Sequence, residues 1–434
     1  RLAVFFYDAH LAKAIAFDNV LSGSSEALVD RFEQAAAGRD GLVHLATDGE
    51  SYGHHTHFGD RCMAYALDRE APRRGIRILN YGEFLAFHAP THEVRIKPGP
   101  DGEGTSWSCS HGVGRWIRDC GCHTGGLPGW NQAWRKPLRT AFDGLRDFAA
   151  EVFEEEGGRL FKDPWAARND AVDLLLLGEK ARHDLFRRHA RGRLGDADQI
   201  RALTLLEIQR MCMLQYTSCG WFFSDLGGIE TVQVMKYAAR AMDLLGQIGI
   251  EAPRGVFMDT LETARSNQPD SMSGAEIFER RVLPSRVTVT AVAANLAMTK
   301  LVEGVNKVGE SCEMSFRLQS LVPLENGRFR GLLGRQTLTS ARTGRTDDLW
   351  FGVLHLGGVD FCCLVAPFAG MRDFEQGVAR IREAFEAGSM SALLRVMQSE
   401  IGGEEVGLAN ILPRYRGRIA ERVLERDLQH VARE

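Results

Sequence analysis

Three short apolar runs, each ending on a polar residue, constrain the amino-terminal part of this chain most. Residues 2–7 run into Asp8, residues 41–46 into Thr47-Asp48, and residues 76–79 into Asn80. Between them, residues 25–37 and 57–69 carry apolar positions at helical spacing. Short apolar runs alternating with helices of this length predict a mostly parallel sheet or a barrel. In such folds the working residues stand at the carboxyl ends of strands, where Asp8 and Asp48 both fall.

The pattern then changes. Residues 98–134 are rich in Gly, Trp and Cys and lack periodicity, as expected of a binding loop or lid. Residues 137–245 read as helical, with their most apolar cluster at Val172 and 174–177 and a Gly-containing interruption at 217–228. Helices are expected from 274 to 305 and again at 371–397 and 419–430. Alternating patterns at 312–320 and 350–365 predict antiparallel strands. The first residue is Arg and the last segment still reads as helix, so the chain is expected to be cut at both ends.

Bulk properties exclude several function classes. The 434 residues carry 53 basic and 57 acidic side chains, a net charge of -4, without the basic excess of a nucleic-acid surface. Nine cysteines, an odd number that includes adjacent Cys362 and Cys363, fit a reducing, cytoplasmic compartment better than a secreted one. No run of eighteen uncharged apolar residues occurs, so no membrane span is expected.

The sharpest local feature is the segment from Thr47 to Asp60, which contains Asp48, Glu50, His54, His55 and His57. A carboxylic acid at a strand end can have its pKa raised by desolvation and then donate a proton near neutrality. Asp48 is the candidate acid and Glu50 an orienting neighbour; an acidic helix cap without chemistry is the alternative. Asp48 with the histidines also offers ligands for a divalent metal, although the order is not His-Glu-x-x-His.

Four of the seven tryptophans, Trp107, Trp116, Trp130 and Trp134, lie in the irregular stretch beside His111, Asn131, Gln132 and Arg135. Rings that cover an apolar sugar face, mixed with amide and guanidinium groups, suit a neutral, hydroxyl-rich ligand. The same stretch holds Cys109, His111, Cys120, Cys122 and His123, enough soft ligands for a zinc site but without Cys-x-x-Cys spacing. Inert buried thiols, or a Cys109–His111 nucleophile pair, are the alternatives. Farther on, Trp221 and Asp225 stand in the aromatic interruption, as sugar contacts or as helix packing.

These three patches resemble glycoside hydrolase family 57, in the branch that carries an additional carboxyl-terminal domain of unknown function. Residues 45–55 look like the segment bearing the family's catalytic acid, which carries that role to Asp48 and a supporting role to Glu50. Ser106-Trp107 and the following Gly, His and Trp residues resemble its sugar-binding Ser-Trp-Gly loop, Trp134 an aromatic beyond it, and 218–221 a segment of its helical domain. The resemblance implies an α/β fold: the carboxyl-terminal portion of a (β/α)7 barrel over 1–135, a helical domain over 136–265 completing a sugar cleft, and a mixed α+β domain over 266–434.

It further implies a retaining α-glycosidase or α-glucan transferase. Asp48 and Glu50 would serve the chemistry, with His54, His55, Trp107, His111, Trp116, Trp130, Trp134, Arg135, Trp221 and Asp225 on an oligosaccharide or polysaccharide of α-glucan type. No cofactor is implied. The chain departs from the pattern at Cys219-Gly220, where the family commonly has Ser-Asp, and it begins too late to contain the glutamate nucleophile. A metal-dependent carbohydrate hydrolase or deacetylase and a noncatalytic glucan-binding module are the competing expectations.

Overall fold

The computed structural model describes residues 2–37, 41–99, 102–106, 108–304, 306–326 and 329–431, without the side chains of 179 and 426–431. It forms two compact units, Arg1–Lys97 and Pro98–Glu434.

In the first unit the apolar runs do what their composition favours locally. Each is extended, and each is followed by a helical turn whose preceding residue is polar. Asp8 caps the helix Ala9–Phe17 by accepting the Leu11 N–H at 2.9 Å. Asn80 caps Tyr81–Phe87 through the Glu83 N–H at 2.8 Å. Asp48 precedes a single 3-10 turn, Gly49–Ser51, with its carboxylate outside the cap. Leu11, Ile15, Leu21, Leu28 and Val29 form a small core with Ala66 and Ala71.

The parallel sheet predicted from those runs is not formed. No strand is present before residue 308 among the described residues, and the three runs stay extended without a ladder. Extended backbone needs only local side-chain preference, whereas a ladder needs in-phase partners for successive N–H and C=O groups. The Asp8 N–H reaches the His44 carbonyl at 2.8 Å, and Leu2, Val4 and Phe6 remain exposed. The chain is therefore not a piece of a (β/α)7 barrel.

Its sheet is antiparallel and open. Strands β1 (Val308–Ser311), β2 (Met314–Asn326), β3 (Phe329–Ser340), β4 (Thr346–Gly357), β5 (Asp360–Pro367) and β6 (Glu404–Val406) stand in the order β1-β2-β3-β4-β5-β6. Sequence neighbours pair throughout, with Leu332 opposite Val353 and Val353 opposite Cys363.

Period-two alternation divides the two faces. Leu338, Phe351, Val353 and Cys363 pack under the helices Val289–Glu303 and Pro413–Val431. Leu333, Trp350, Leu354 and Leu364 meet Met371–Glu386 and Met390–Glu400 on the other side.

The helical region before the sheet has its own core. Along Arg135–Leu160 the buried positions Leu138, Phe142, Leu145, Ala149 and Phe153 recur at three- and four-residue intervals, one stripe of an α-helix. That stripe packs against Asp196–Leu214 and Arg254–Glu262, and Ile229–Gln247 packs in turn on Asp196–Leu214. The short helix Cys219–Phe222 crosses Ile229–Gln247 at Gly220, where an added Cβ would stand 2.3 Å from Val234 Cγ1. Glycine at 220 is thus a packing requirement, and an aspartate side chain there has no room. The apolar cluster at 172–177 forms a short helix whose Val172, Leu175, Leu176 and Leu177 are exposed. No described helix is long and apolar enough to cross a membrane.

Candidate metal centre

The irregular stretch has order of a different kind from helix or strand. Ser106 and Cys109 form an isolated antiparallel bridge, and the Ser106 hydroxyl donates to the Gly112 carbonyl at 2.9 Å. The chain then makes one 3-10 turn, Gly114–Trp116, and returns to Cys120 and Cys122. Gly114 is where the returning strand of chain passes closest: a Cβ there would lie 3.0 Å from Cys120 Cβ.

This fold-back gathers four ligand atoms. Cys109, Cys120 and Cys122 Sγ and one ring nitrogen of His111 all lie within 4.8 Å of one another. Cys109 and Cys120 Sγ are 3.8 Å apart, and Cys122 Sγ is 3.4 Å from His111 Nδ1.

Metal–sulfur bonds of about 2.3 Å and metal–nitrogen bonds of about 2.0–2.1 Å give tetrahedral edges of roughly 3.8 Å (S···S) and roughly 3.6 Å (S···N). The two resolved edges match these within about 0.2 Å. A disulfide would need sulfurs about 2.05 Å apart, and all nine cysteines are free. The residues therefore fit a Cys3His zinc set.

Of the two histidines among the sequence-derived candidates, His111 joins the group and His123 does not. His123 is exposed, with Nδ1 2.8 Å from the Gly125 carbonyl, and does not join the group. Two pairs spaced by a single residue, Cys109-x-His111 and Cys120-x-Cys122, were the available signal; the fold-back between them was not readable from spacing.

Electrostatics at the centre are unusual. Burial pushes the Cys109 thiol up, but the backbone of Arg115 and His111 and the neighbouring Cys122 and Cys120 outweigh it and bring the thiol to about 7. Burial pushes Cys120 up.

One guanidinium lies beside these thiols, and a second acts on it from close by. Arg135 is 0% exposed; its Nη1 donates to the Cys122 carbonyl at 2.8 Å and its Nη2 to the Phe223 carbonyl at 3.3 Å. Burial lowers it to about 10, so it stays charged at neutral pH. Arg115 donates to Thr124 Oγ1 and the His123 carbonyl, both at 3.1 Å, and lies over the Phe222 ring.

The remaining sequence candidates are scattered. Trp107 lies outside the described residues. Trp116 is half-buried, its Nε1 donating to the Ser218 carbonyl at 3.3 Å, and Trp130 is half-buried. Trp134 and Trp221 are each 1% exposed within the helical core. Trp221 stacks edge-on against Phe142 and donates Nε1 to the Gln215 carbonyl at 3.0 Å. Asp225 is engaged by the Ser266 hydroxyl and by the N–H groups of Gly227 and Asn267, at 2.6–3.0 Å. These last three side chains hold the helices and loops together and present no open face.

Within the first unit, Asp48, Glu50, His54 and His55 are exposed, with the two imidazoles in edge contact. Asp48 and its neighbouring histidines do not form a metal-sized group among the described residues. An open cavity of about 930 Å³ lies nearby, lined mainly by apolar residues such as Leu42, Val43, Ile76 and Phe84.

A family model described as Domain of unknown function (DUF3536) matches residues 130–412, well over half of the chain. The chain belongs to this family. The matched span contains Trp130, Trp134, Arg135, Trp221 and Asp225 and the whole antiparallel sheet, while the four candidate ligand side chains precede it. No curated protein and no solved structure matches the chain.

Proposed function

We propose that this chain is a zinc protein in which Cys109, His111, Cys120 and Cys122 hold one ion and thereby order the loop around them. The observation that carries this reading is the gathering of four ligand atoms within 4.8 Å of one another, two of whose separations have the length of a tetrahedral edge. Four protein ligands close the coordination sphere, as in structural zinc sites; catalytic zinc keeps a position for water or substrate. Soft thiolates with an imidazole favour zinc over magnesium or calcium.

The role fits the loop, which has little secondary structure of its own and so needs another source of order. Nine free cysteines fit a reducing, cytoplasmic setting. Elemental analysis of protein purified without chelator should find about one zinc per chain, lost in a Cys120→Ser, Cys122→Ser variant. Metal-free wild-type protein that takes up no zinc would overturn the reading.

A second reading is a carbohydrate-active protein of the retaining α-glycosidase or α-glucan transferase type, with Asp48 as general acid/base and Glu50 beside it. One observation favours it besides the resemblance at residues 45–55. Of the three polar residues that end the extended runs, Asp8 and Asn80 spend their side chains on helix caps, whereas the Asp48 carboxylate makes no cap bond and is exposed. This reading leaves the glutamate nucleophile outside the chain and does not involve the barrel. Incubation of the longest native form with an α-glucan panel tests it: products abolished by Asp48→Asn support it, and products unchanged in that variant remove Asp48 from the chemistry.

A further inference from the structure

Buried cations are costly without an anion beside them. Arg135 is completely buried and Arg115 is 6% exposed, yet among the described residues neither forms a salt bridge, and the Asp119 carboxylate acts on Arg135 only from farther off. Their acceptors are neutral: the carbonyls of Cys122, Phe222 and Phe223 for Arg135, and the His123 carbonyl with the Thr124 hydroxyl for Arg115. Asp119 is the nearest carboxylate in sequence, but it is exposed and accepts the Gly121 N–H. The groups buried with the two guanidiniums that can become anionic are the thiols of the metal centre.

We propose that Arg135, backed by Arg115, is the counter-charge of the loaded centre, so that metal binding and the seating of the loop on the helices form one equilibrium. This rests on the zinc reading. On loading, each thiol that still carries its proton releases it to solvent, and three sulfur–metal bonds form beside one neutral imidazole. A divalent ion with three thiolates carries a net charge of about -1. With the ion removed, the anionic metal–thiolate group is gone and the buried Arg135 guanidinium keeps its neutral carbonyl acceptors, with the exposed Asp119 carboxylate acting only from farther off.

Arg135 is suited to transmit that change. One nitrogen grips the carbonyl of the ligand Cys122, while the other reaches the turn at Phe222 and Phe223 that follows the helix Cys219–Phe222. It acts through the ligands and is a positioning residue. Loss of the ion removes the anion and loosens the contact that ties the loop to this turn.

The test uses the full chain with Arg135→Gln and Arg135→Lys, titrated with zinc against a chromophoric chelator and separately loaded with cobalt(II). Arg135→Gln should bind zinc at least about tenfold more weakly, and Arg135→Lys should recover most of that loss. The thiolate-to-cobalt charge-transfer band should shift in the glutamine variant and return towards wild type in the lysine variant, a signature that a purely structural arginine would not produce.

Wild-type affinity and an unmoved band in Arg135→Gln, with about one zinc still bound, would overturn the counter-charge inference and leave the zinc reading standing. Failure of wild-type protein to bind either ion would remove the zinc reading itself. If Arg135→Gln does not fold, Arg115→Gln carries the same titration: weakened binding supports the inference and unchanged binding overturns it.

Discussion

Cys109 shows how a single side chain can report on its surroundings. Its thiol sits near 7 rather than the ordinary 9.0. Across the window between those values the folded, metal-free chain holds a thiolate where the unfolded chain still binds the proton. The unfolded state therefore binds more protons, and stability should rise with pH from about 7 to about 9. Below about 7 that contribution is gone. Urea midpoints of the metal-free protein at both ends of the window should differ, and Cys109→Ser should flatten the difference; equal slopes in both proteins would contradict the assignment.

Gly220 makes a steric case at the same scale. An alanine Cβ would collide with Val234, and overpacking of this kind costs about 1–3 kcal/mol. Urea denaturation of Gly220→Ala measures it, and an unaltered midpoint would mean that the short helix can shift away freely.

At the scale of elements, the ends of helices and the irregular loop behave differently. Ser273 opens the turn Gly274–Ile277 with a capping box: its hydroxyl accepts the Glu276 N–H at 3.1 Å while Glu276 Oε2 accepts the Ser273 N–H at 2.9 Å. The same hydroxyl donates to Glu262 at 2.5 Å, tying the turn to the end of Arg254–Glu262. Ser273→Ala should lower unfolding stability by about 1 kcal/mol, as loss of a helix cap does, read from denaturant curves. Among its described residues, the loop at 104–134 has one isolated bridge and one 3-10 turn and no ladder. Chelation should therefore expose it to limited proteolysis well before the strands at 308–406 are cut. Cleavage sites located by mass spectrometry would check this, and equal protection with and without chelator would argue against metal-dependent order.

For the whole molecule, short-range patterns carried far but not all the way. The alternation around 350–365 belongs to β4 and β5, whose faces divide between two helical layers, because period-two burial is written directly into successive residues. The runs at 2–7, 41–46 and 76–79 have the same local character, yet they lie in no sheet. Composition specifies extended backbone; which N–H meets which C=O depends on segments far apart in sequence. Aromatic residues taught the same lesson. Trp134 and Trp221 are chemically fit to cover a sugar, and only their complete burial among Phe142, Leu138 and their neighbours shows them as core.

Local pattern carries the inventory: helices from their apolar spacing, antiparallel strands from their alternation, polar ends to the extended runs, and a loop dense in thiols, imidazoles and guanidiniums. How that inventory is joined is set by the folded chain. It chose His111 over His123 as the partner of three cysteines, buried Arg135 and Arg115 beside them, and left the Asp48 carboxylate in solvent. The physical reason is range. Propensity and periodicity act over a few residues, whereas ligand geometry, burial and charge compensation depend on where the chain returns to itself.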